Sequence, residues 1–482
     1  MNNINFDLNN IKRIYYRGYS KLCNYKCSYC PFRKKSDNIN RLNRNEIIKE
    51  LELDKKYLNN FVNFIKNYNF NNQISILFTP YGEALNNQYY YDAIIRLSKI
   101  ESVENICCQT NLSFNIENFL NYIEDNKGII EKISLWASFH SEMISISDFT
   151  DNVKKISEKI NISVGTVGYK DNRKNIENLR KYLPKHIYLW INKIEGKYDD
   201  VDFSYIDPFY NIEQKNLKCD INKCSTIAES IFIKEDGKIF SCNKNKTLIG
   251  NIYKNSFYEI DNIKKTKCDC YLSYSNRKDI KQLQFLNLQS RLLNFKRPKA
   301  IFFDIDGTII NKYNNYFDII KYIYENYNID MYFATGRSLK NVIISFKNII
   351  TFFKGGVFDY GAHTKVFNSN LDYKLYINNK SKNTKIISKK KLYEDENTRI
   401  IYEDNNYIKV NKNVNKYFGV NMICKKFEYN NDDVWVLGNS KEDVCILKNY
   451  KYSFTMFNSD EYALNSANMV ISLDMILMFL GK

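Results

Sequence analysis

From residue 12 to about 200, short apolar runs alternate with longer polar segments. The runs Ile74–Phe78, 104–111, 133–140, 162–169 and 187–193 read as strands, and a first strand is predicted from Ile11 to Tyr19. The segments 46–70 and 89–100 between them carry helical spacing. Strand and helix in alternation predict a parallel sheet of βα units. About six units fit a partial (β/α)6 barrel better than a full eight-fold one, so the fold class is α/β. From 205 to 285 the pattern loosens into a small cysteine-rich extension. Within it, Ile231–Cys242 reads as a hairpin turning at Glu235-Asp236-Gly237. Residues 278–297 read as a connecting helix ended by Pro298, with the linker at 286–298. A strongly apolar strand at Ala300 opens a second α/β region, 299–482. Within that region an insert at about 339–412, richest in Asn, Lys and Tyr over 366–410, reads as a short cap. The first region spans 1–204, and no internal repeat is present.

The 482 residues exceed one ordinary domain, and 44% hydrophobic with 15% aromatic residues excludes a disordered chain. The net charge of +17 comes from scattered lysines rather than one stripe. Abundant Lys, Asn, Ile and Tyr beside 5 Pro, 16 Gly and 3 Trp point to a compositional bias, not a nucleic-acid groove. No apolar stretch is long enough to span a bilayer, and the first twenty residues lack a secretory apolar block. The expectation is a cytoplasmic protein without a membrane partner. Twelve cysteines in that compartment point to metal ligation rather than disulfides. Cys107, Cys108, Cys424 and Cys445 lie in apolar context and read as ordinary buried thiols.

Cys23, Cys27 and Cys30 form C-x3-C-x2-C. Three thiolates on one loop can hold three irons of a [4Fe–4S] cube and leave the fourth open, though a zinc loop uses the same donors. The motif resembles that of the radical S-adenosylmethionine (SAM) superfamily. Tyr29 precedes the last cysteine, as the usual aromatic. Tyr81-Gly82-Glu83-Ala84-Leu85 resembles the family's Gly-Gly-Glu-Pro segment, departing at Tyr81 and Ala84 but keeping Gly82 and Glu83. Thr110-Asn111 ends the next strand, Ser138-Phe139-His140 the one after, and Gly165 lies on the next. The resemblance implies that SAM binds the open iron, with Gly82 and Glu83 at its amino group and Gly165 against its adenine. One-electron cleavage to a 5′-deoxyadenosyl radical would follow, with an electron donor such as flavodoxin or ferredoxin. His140 reads equally as a functional group or a wall residue.

Cys219, Cys224, Cys242, Cys268 and Cys270 flank the hairpin and resemble the SPASM and twitch extensions of that superfamily. The resemblance implies one auxiliary [4Fe–4S] cluster held by four of the five; a four-thiolate zinc site is the alternative.

Ala300–Thr308 is an apolar strand ending in Asp304-Ile305-Asp306-Gly307-Thr308, which resembles the first motif of the haloacid dehalogenase (HAD) superfamily. A strand end exposes Asp304 as a carboxylate nucleophile, and Asp306 can serve as acid and base. Thr335 in Thr335-Gly336-Arg337, Lys416, and Gly438-Asn439 with Asp443 follow in the family's order. The resemblance implies a Rossmann-like domain of the sugar-phosphatase branch. It also implies phosphoryl contact from Thr335, charge neutralisation by Lys416, and Mg²⁺ held by Asp304, Asp306, Asn439 and Asp443. Asn439 replaces the usual Asp and would bind Mg²⁺ without its charge.

Together these resemblances imply a bifunctional biosynthetic or tailoring enzyme. It would act on a small-molecule or peptide substrate, with a phosphorylated one suited to both parts. The alternatives are a radical enzyme whose HAD part only binds a phosphorylated ligand, and a radical enzyme that modifies peptides or nucleic acids.

Overall fold

The computed structural model describes residues 6–32, 43–194, 201–214, 217–218, 223–225, 228–243, 247–258, 267–268, 270–312, 314–374, 386–388, 391, 393, 398–403, 406–411 and 414–481. The chain divides into two compact units, Met1–Asn294 and Phe295–Lys482.

In the first unit the alternation gives strands β1 (Arg13–Arg17), β2 (Ile74–Phe78), β3 (Val103–Thr110), β4 (Ile133–Ser138), β5 (Asn161–Gly168) and β6 (Leu189–Lys193). Between them run helices α1 (Arg44–Asn67), α2 (Gln88–Ser98), α3 (Ile116–Asp125), α4 (Ile146–Ser157) and α5 (Arg173–Tyr182). The strands pair in parallel in sequence order, as successive βα units require. The predicted hairpin forms β7 (Ser230–Lys234) and β8 (Lys238–Phe240), with Gly237 at φ +80° in its turn. β9 (Leu248–Asn251) and β10 (Ser256–Phe257) continue the sheet.

β7 pairs in parallel with β1, so the hairpin of the extension continues the same ten-stranded sheet, while Leu217–Lys218 and Lys267–Cys268 pair in a two-stranded sheet of their own. That sheet is open among the described residues: β6 and β10 are its two edges, and no pairing closes a barrel.

Period-two alternation buries both faces. Ile14, Tyr16, Ile76, Phe78, Leu135 and Val164 face the helices, packing on Phe61, Ile94, Phe119 and Phe149. The opposite face carries the Trp136 and Trp190 rings. It is covered by the segment before the unit boundary: Gln289 Nε2 donates to Ser75 O (2.8 Å) and Ser163 Oγ to Ser290 O (2.6 Å).

The predicted linker helix is therefore corrected. Only Lys281–Phe285 is helical, as a short 3-10 turn, and Leu286 bridges back to Leu293. A straight helix would carry Arg291 away from the sheet. Instead Arg291, at φ +52°, lies 3.7 Å from the Tyr271 ring centroid, 4.5 Å from Trp190 and 4.8 Å from Trp136. Its Nη1 donates to Asn192 Oδ1 (3.0 Å).

In the second unit β11 (Ala300–Phe303), α6 (Phe317–Asn326), β12 (Asp330–Ala334), α7 (Leu339–Ser345), β13 (Gly355–Phe358), β14 (His363–Val366) and β15 (Asp372–Lys374) come first. A small antiparallel sheet of β16 (Ile386–Ser388), β17 (Thr398–Glu403) and β18 (Asn406–Asn411) follows. Then come α8 (Lys416–Lys426), β19 (Val434–Leu437), β20 (Tyr452–Met456) and β21 (Met469–Ile471).

The main sheet runs β15-β14-β13-β12-β11-β19-β20-β21. Its six parallel strands, β13 to β21, have the doubly wound order with β11 at the switch point, where ligands bind beyond the strand ends. The predicted cap is too long. β13, β14 and β15 belong to the main sheet, so the strands of the inserted small sheet lie between Ile386 and Asn411.

Arg291 is buried and closes the second face of the first sheet. Arg291→Ala should lower the stability of the first unit by about 2–4 kcal/mol, from the lost cation–π contacts and packing. Denaturant unfolding followed by Trp fluorescence checks this; an unchanged midpoint would disprove the role.

Candidate functional sites

Beyond β1 the chain enters the cysteine loop, which two carboxylates fasten. Asp54 of α1 accepts from Tyr19 N (2.6 Å), Ser20 N (2.9 Å) and Tyr89 Oη (2.8 Å). Glu142 accepts from Ser28 through both its backbone N and its hydroxyl. The loop is then clamped from the β2 end. A Cβ on Gly82 would fall 1.8 Å from Leu22 O, so only glycine permits this approach, and Glu83 N donates to the same oxygen (3.1 Å).

Cys23, Cys27 and Cys30 line one cavity of about 330 Å³ with Tyr29, Gly82, Glu83, Thr110, Asn111, Ser138 and His140. Every one of these groups lies at or beyond the C-terminal end of its strand, as active-site groups of α/β folds do.

Glu83 is buried and accepts from Thr110 Oγ1 (2.9 Å), Asn111 N (2.5 Å) and Leu85 N (3.1 Å). Burial outweighs these bonds and pushes its carboxyl up to about 7. His140 Nδ1 lies 2.9 Å from Tyr29 Oη, with the rings stacked at 5.9 Å. Desolvation pulls the imidazole down to about 4, so it is neutral near pH 7. Burial, then Cys30 and Cys23, raise the Cys27 thiol to about 12.

Gly165 is not open to the cavity. The Trp190 indole lies across it, 2.0 Å from where a Cβ would stand, and Trp190 itself lines the wall.

Of the second cysteine group, Cys219 lies outside the described residues. Cys270 lines the first cavity, and Cys224 pairs with Arg277 in an isolated bridge. Among the described residues no three His, Cys, Asp or Glu side chains are gathered to hold a metal. Of the five cysteines from which four are expected to hold the auxiliary cluster, the described Cys224, Cys242, Cys268 and Cys270 are not gathered into such a group. For the early trio, the donor chemistry and the shared cavity wall do fit an iron–sulfur cube, although the thiols are not drawn together.

The second site sits at the switch point of the second unit. Asp304 follows β11, Thr335 follows β12, and Asn439 and Asp443 follow β19. Lys416 is the first residue of α8, capped by the Asn415 side chain.

Lys416 Nζ donates to Asp304 Oδ1 (2.7 Å) and Asp443 Oδ1 (2.6 Å), with all three side chains buried. Burial alone would lower the Lys416 ammonium, but the two carboxylates outweigh it and hold it charged. Burial raises Asp304; Lys416 opposes this and Asp443 adds to it.

Asp443 departs from its expected role as a Mg²⁺ ligand. Its Oδ1 is taken by Lys416, and its Oδ2 accepts from Asn439 N, Ser440 N and Ser440 Oγ, each at 3.0 Å. It staples the loop instead. Asn439 stands over Gly307, whose φ of +87° brings a would-be Cβ within 1.9 Å of Asn439 Nδ2. Asn439 Oδ1 is buried and makes no hydrogen bond in the structure. An unpaired carbonyl oxygen beside the Asp304 loop fits a hard cation such as Mg²⁺.

Arg337 carries a role that the motif reading did not assign. Its Nε and Nη2 grip both oxygens of Asp306 (2.8 and 2.6 Å), and its backbone N donates to Thr335 Oγ1 (3.1 Å). The expected acid–base residue is therefore held in a bidentate ion pair. The signal was present as the arginine two residues after Thr335.

The turn after β13 locks these parts together. Asp359 and Tyr360 are both left-handed (φ +49° and +54°), Tyr360 N donates to Thr335 O (3.2 Å), and the Tyr360 ring covers Gly336. Gly361, at φ +106°, abuts Asn415 O. Gly419 lets α8 sit directly on Val357 and Thr364.

Lys416→Met would leave two buried carboxylates without a cation and should destabilise the second unit by about 3–5 kcal/mol. Adding Asp443→Asn should recover part of that loss. Guanidinium titration of the three proteins reads both effects; a wild-type midpoint for Lys416→Met would contradict the triad.

The family model of the haloacid dehalogenase-like hydrolases matches residues 353–474. No curated protein matches. Among solved structures, a putative HAD/COF-like hydrolase from Plasmodium vivax is 18% identical, covering 38% of this chain and 94% of its own, at a TM-score of 0.30. A HAD-superfamily phosphatase from Bacteroides thetaiotaomicron is 13% identical, covering 37% of this chain and 91% of its own, at 0.31. The family match falls on the strands and loops that assemble Lys416, Asn439 and Asp443, and the second unit carries a haloacid dehalogenase-like hydrolase domain.

Proposed function

We propose that the second unit is a Mg²⁺-dependent phosphate monoesterase that works through an aspartyl-phosphate. The observation that carries this reading is the buried Asp304–Lys416–Asp443 triad beside Thr335. Asp304 presents its carboxylate to phosphorus, and the P–O bond to the leaving group breaks as the Asp304–phosphorus bond forms. Lys416 is fixed beside that oxygen and offsets the charge gathering on the phosphoryl group. Thr335 offers its hydroxyl to a phosphoryl oxygen. Asp306 gives up one of its two Arg337 hydrogen bonds to carry the proton that passes to the leaving oxygen, and the carboxylate so formed takes a proton from the water that hydrolyses the aspartyl-phosphate. Arg337 sets where the Asp306 carboxylate stands. Mg²⁺ would be held by Asp304, the Asp306 backbone carbonyl and Asn439 Oδ1, and would supply charge neutralisation when bound.

For the first unit we propose a radical SAM role, supported by three thiols, Glu83, Asn111 and His140 around one cavity at the strand ends. Cys23, Cys27 and Cys30 would hold a [4Fe–4S] cluster, which supplies one electron to SAM when bound. The chain's own residues shape the remainder: Glu83 stands ready for an ammonium group, Trp190 covers Gly165 and walls the cavity, and the neutral His140 with Tyr29 closes one side. An electron donor of the flavodoxin or ferredoxin class would serve this unit. The two activities on one chain favour a biosynthetic or tailoring enzyme in the cytoplasm.

Full-length protein with Mg²⁺ should release inorganic phosphate from p-nitrophenyl phosphate, and Asp304→Asn should lose this by about 10³-fold or more. Asn439→Asp should lower the Mg²⁺ concentration that gives half-maximal rate. No phosphate release from the wild type would end the phosphatase reading.

Anaerobic reconstitution should load about four irons and four sulfides per chain on the early trio, and dithionite with SAM should yield 5′-deoxyadenosine. The Cys23→Ser, Cys27→Ser and Cys30→Ser triple variant should lose both. Zinc in place of iron, or iron retained by the triple variant, would refute the assignment.

A further inference from the structure

A groove of about 620 Å³ opens beside the phosphatase site of the second unit. Its inner wall is tied to the catalytic strand end: Asp359 N donates to Arg337 O (3.0 Å), one residue before the Tyr360 N bond to Thr335 O. One flank is α7, where Ser338 caps the helix and Leu339, Ile343 and Ile344 present an apolar strip. Ile343 and Ile344 are 45% and 59% exposed, unusual for isoleucines on a helix of an α/β domain.

The charges in the groove are unbalanced. His363 and its neighbour Lys365 are both engaged by Asp372, at 2.9 and 2.8 Å. Lys340 and Lys374 also line the groove, and among the described residues neither has an ion-pair partner. Against these two ammonium groups stands one carboxylate, Asp359, which is buried. Two unpaired cations flanking an apolar strip, on the wall that continues from Thr335, form a receptor for an anion joined to a small carbon skeleton.

We infer that this groove takes the leaving group of a phosphate monoester that bears a second anionic group, with Lys340 and Lys374 binding that anion. The inference rests on the phosphatase reading above and narrows its substrate class. The second anion is a carboxylate or a phosphate; both present oxygens that a lysine pair accepts. The apolar strip covers the carbon atoms between the two ends.

The test uses full-length protein with Mg²⁺ and four substrates: p-nitrophenyl phosphate, glucose 6-phosphate, 3-phosphoglycerate and fructose 1,6-bisphosphate. The wild type should favour at least one of the two dianchored esters over glucose 6-phosphate by about tenfold or more in kcat/KM, and which one it favours tells carboxylate from phosphate. In Lys340→Glu and Lys374→Glu that ratio should fall about tenfold through KM, while Lys425→Glu, an exposed lysine on α8 away from the groove, should leave the ratio unchanged. Equal kcat/KM for all three natural esters would overturn the inference while leaving the phosphatase reading intact. So would a fall in every substrate by the same factor. Failure to hydrolyse p-nitrophenyl phosphate as well would remove the phosphatase reading and the inference with it.

Discussion

One buried ammonium organises the second unit. Lys416 reaches both Asp304, from the central strand, and Asp443, from the loop after β19. Neither carboxylate would be tolerated at that depth without it, because burying an unpaired charge costs several kcal/mol. The same pairing that permits burial also places a cation where phosphoryl charge would gather. Stability and chemistry therefore make the same demand on one side chain, and the Asn415 cap and Gly419 keep its helix seated to meet it.

Arg337 and Asn439 modify that frame in opposite senses. Arg337 fixes Asp306 through two hydrogen bonds, so the acid–base group is oriented before any substrate arrives. Asn439 leaves an acceptor unsatisfied, a cost that a bound cation would offset. Asp443, by contrast, has no oxygen to spare. The chain has thus divided between two residues what a pair of acidic ligands would share.

Much of this was legible in the sequence because it is local. Apolar runs marked the six successive parallel strands of the first sheet and the strand that opens the second unit, and Asp304, Thr335 and Asn439 each follow such a run. The parts that escaped depend on contacts distant in sequence. Nothing around Arg291 announces that it will fold back under Trp136 and Trp190, so a helical pattern over 278–297 was the natural reading. The reach of the cap was overestimated because β14 and β15 are short and polar at the sheet edge. Gly165 has the sequence setting of an exposed backbone, yet Trp190, its direct register partner on the neighbouring strand, covers it. The loop of Cys23, Cys27 and Cys30 declared its donors plainly, whereas of the later cysteines Cys270 turns to the first cavity and Cys224 bridges to Arg277.

The left-handed pair Asp359–Tyr360 has a topological consequence. Because Gly361 rests on Asn415 and α8 rests on β13 and β14, the chain on either side of the inserted small sheet is welded to the same platform. The insert hangs from two fixed posts. A change in the length of that insert would therefore leave Lys416 in register with Asp304.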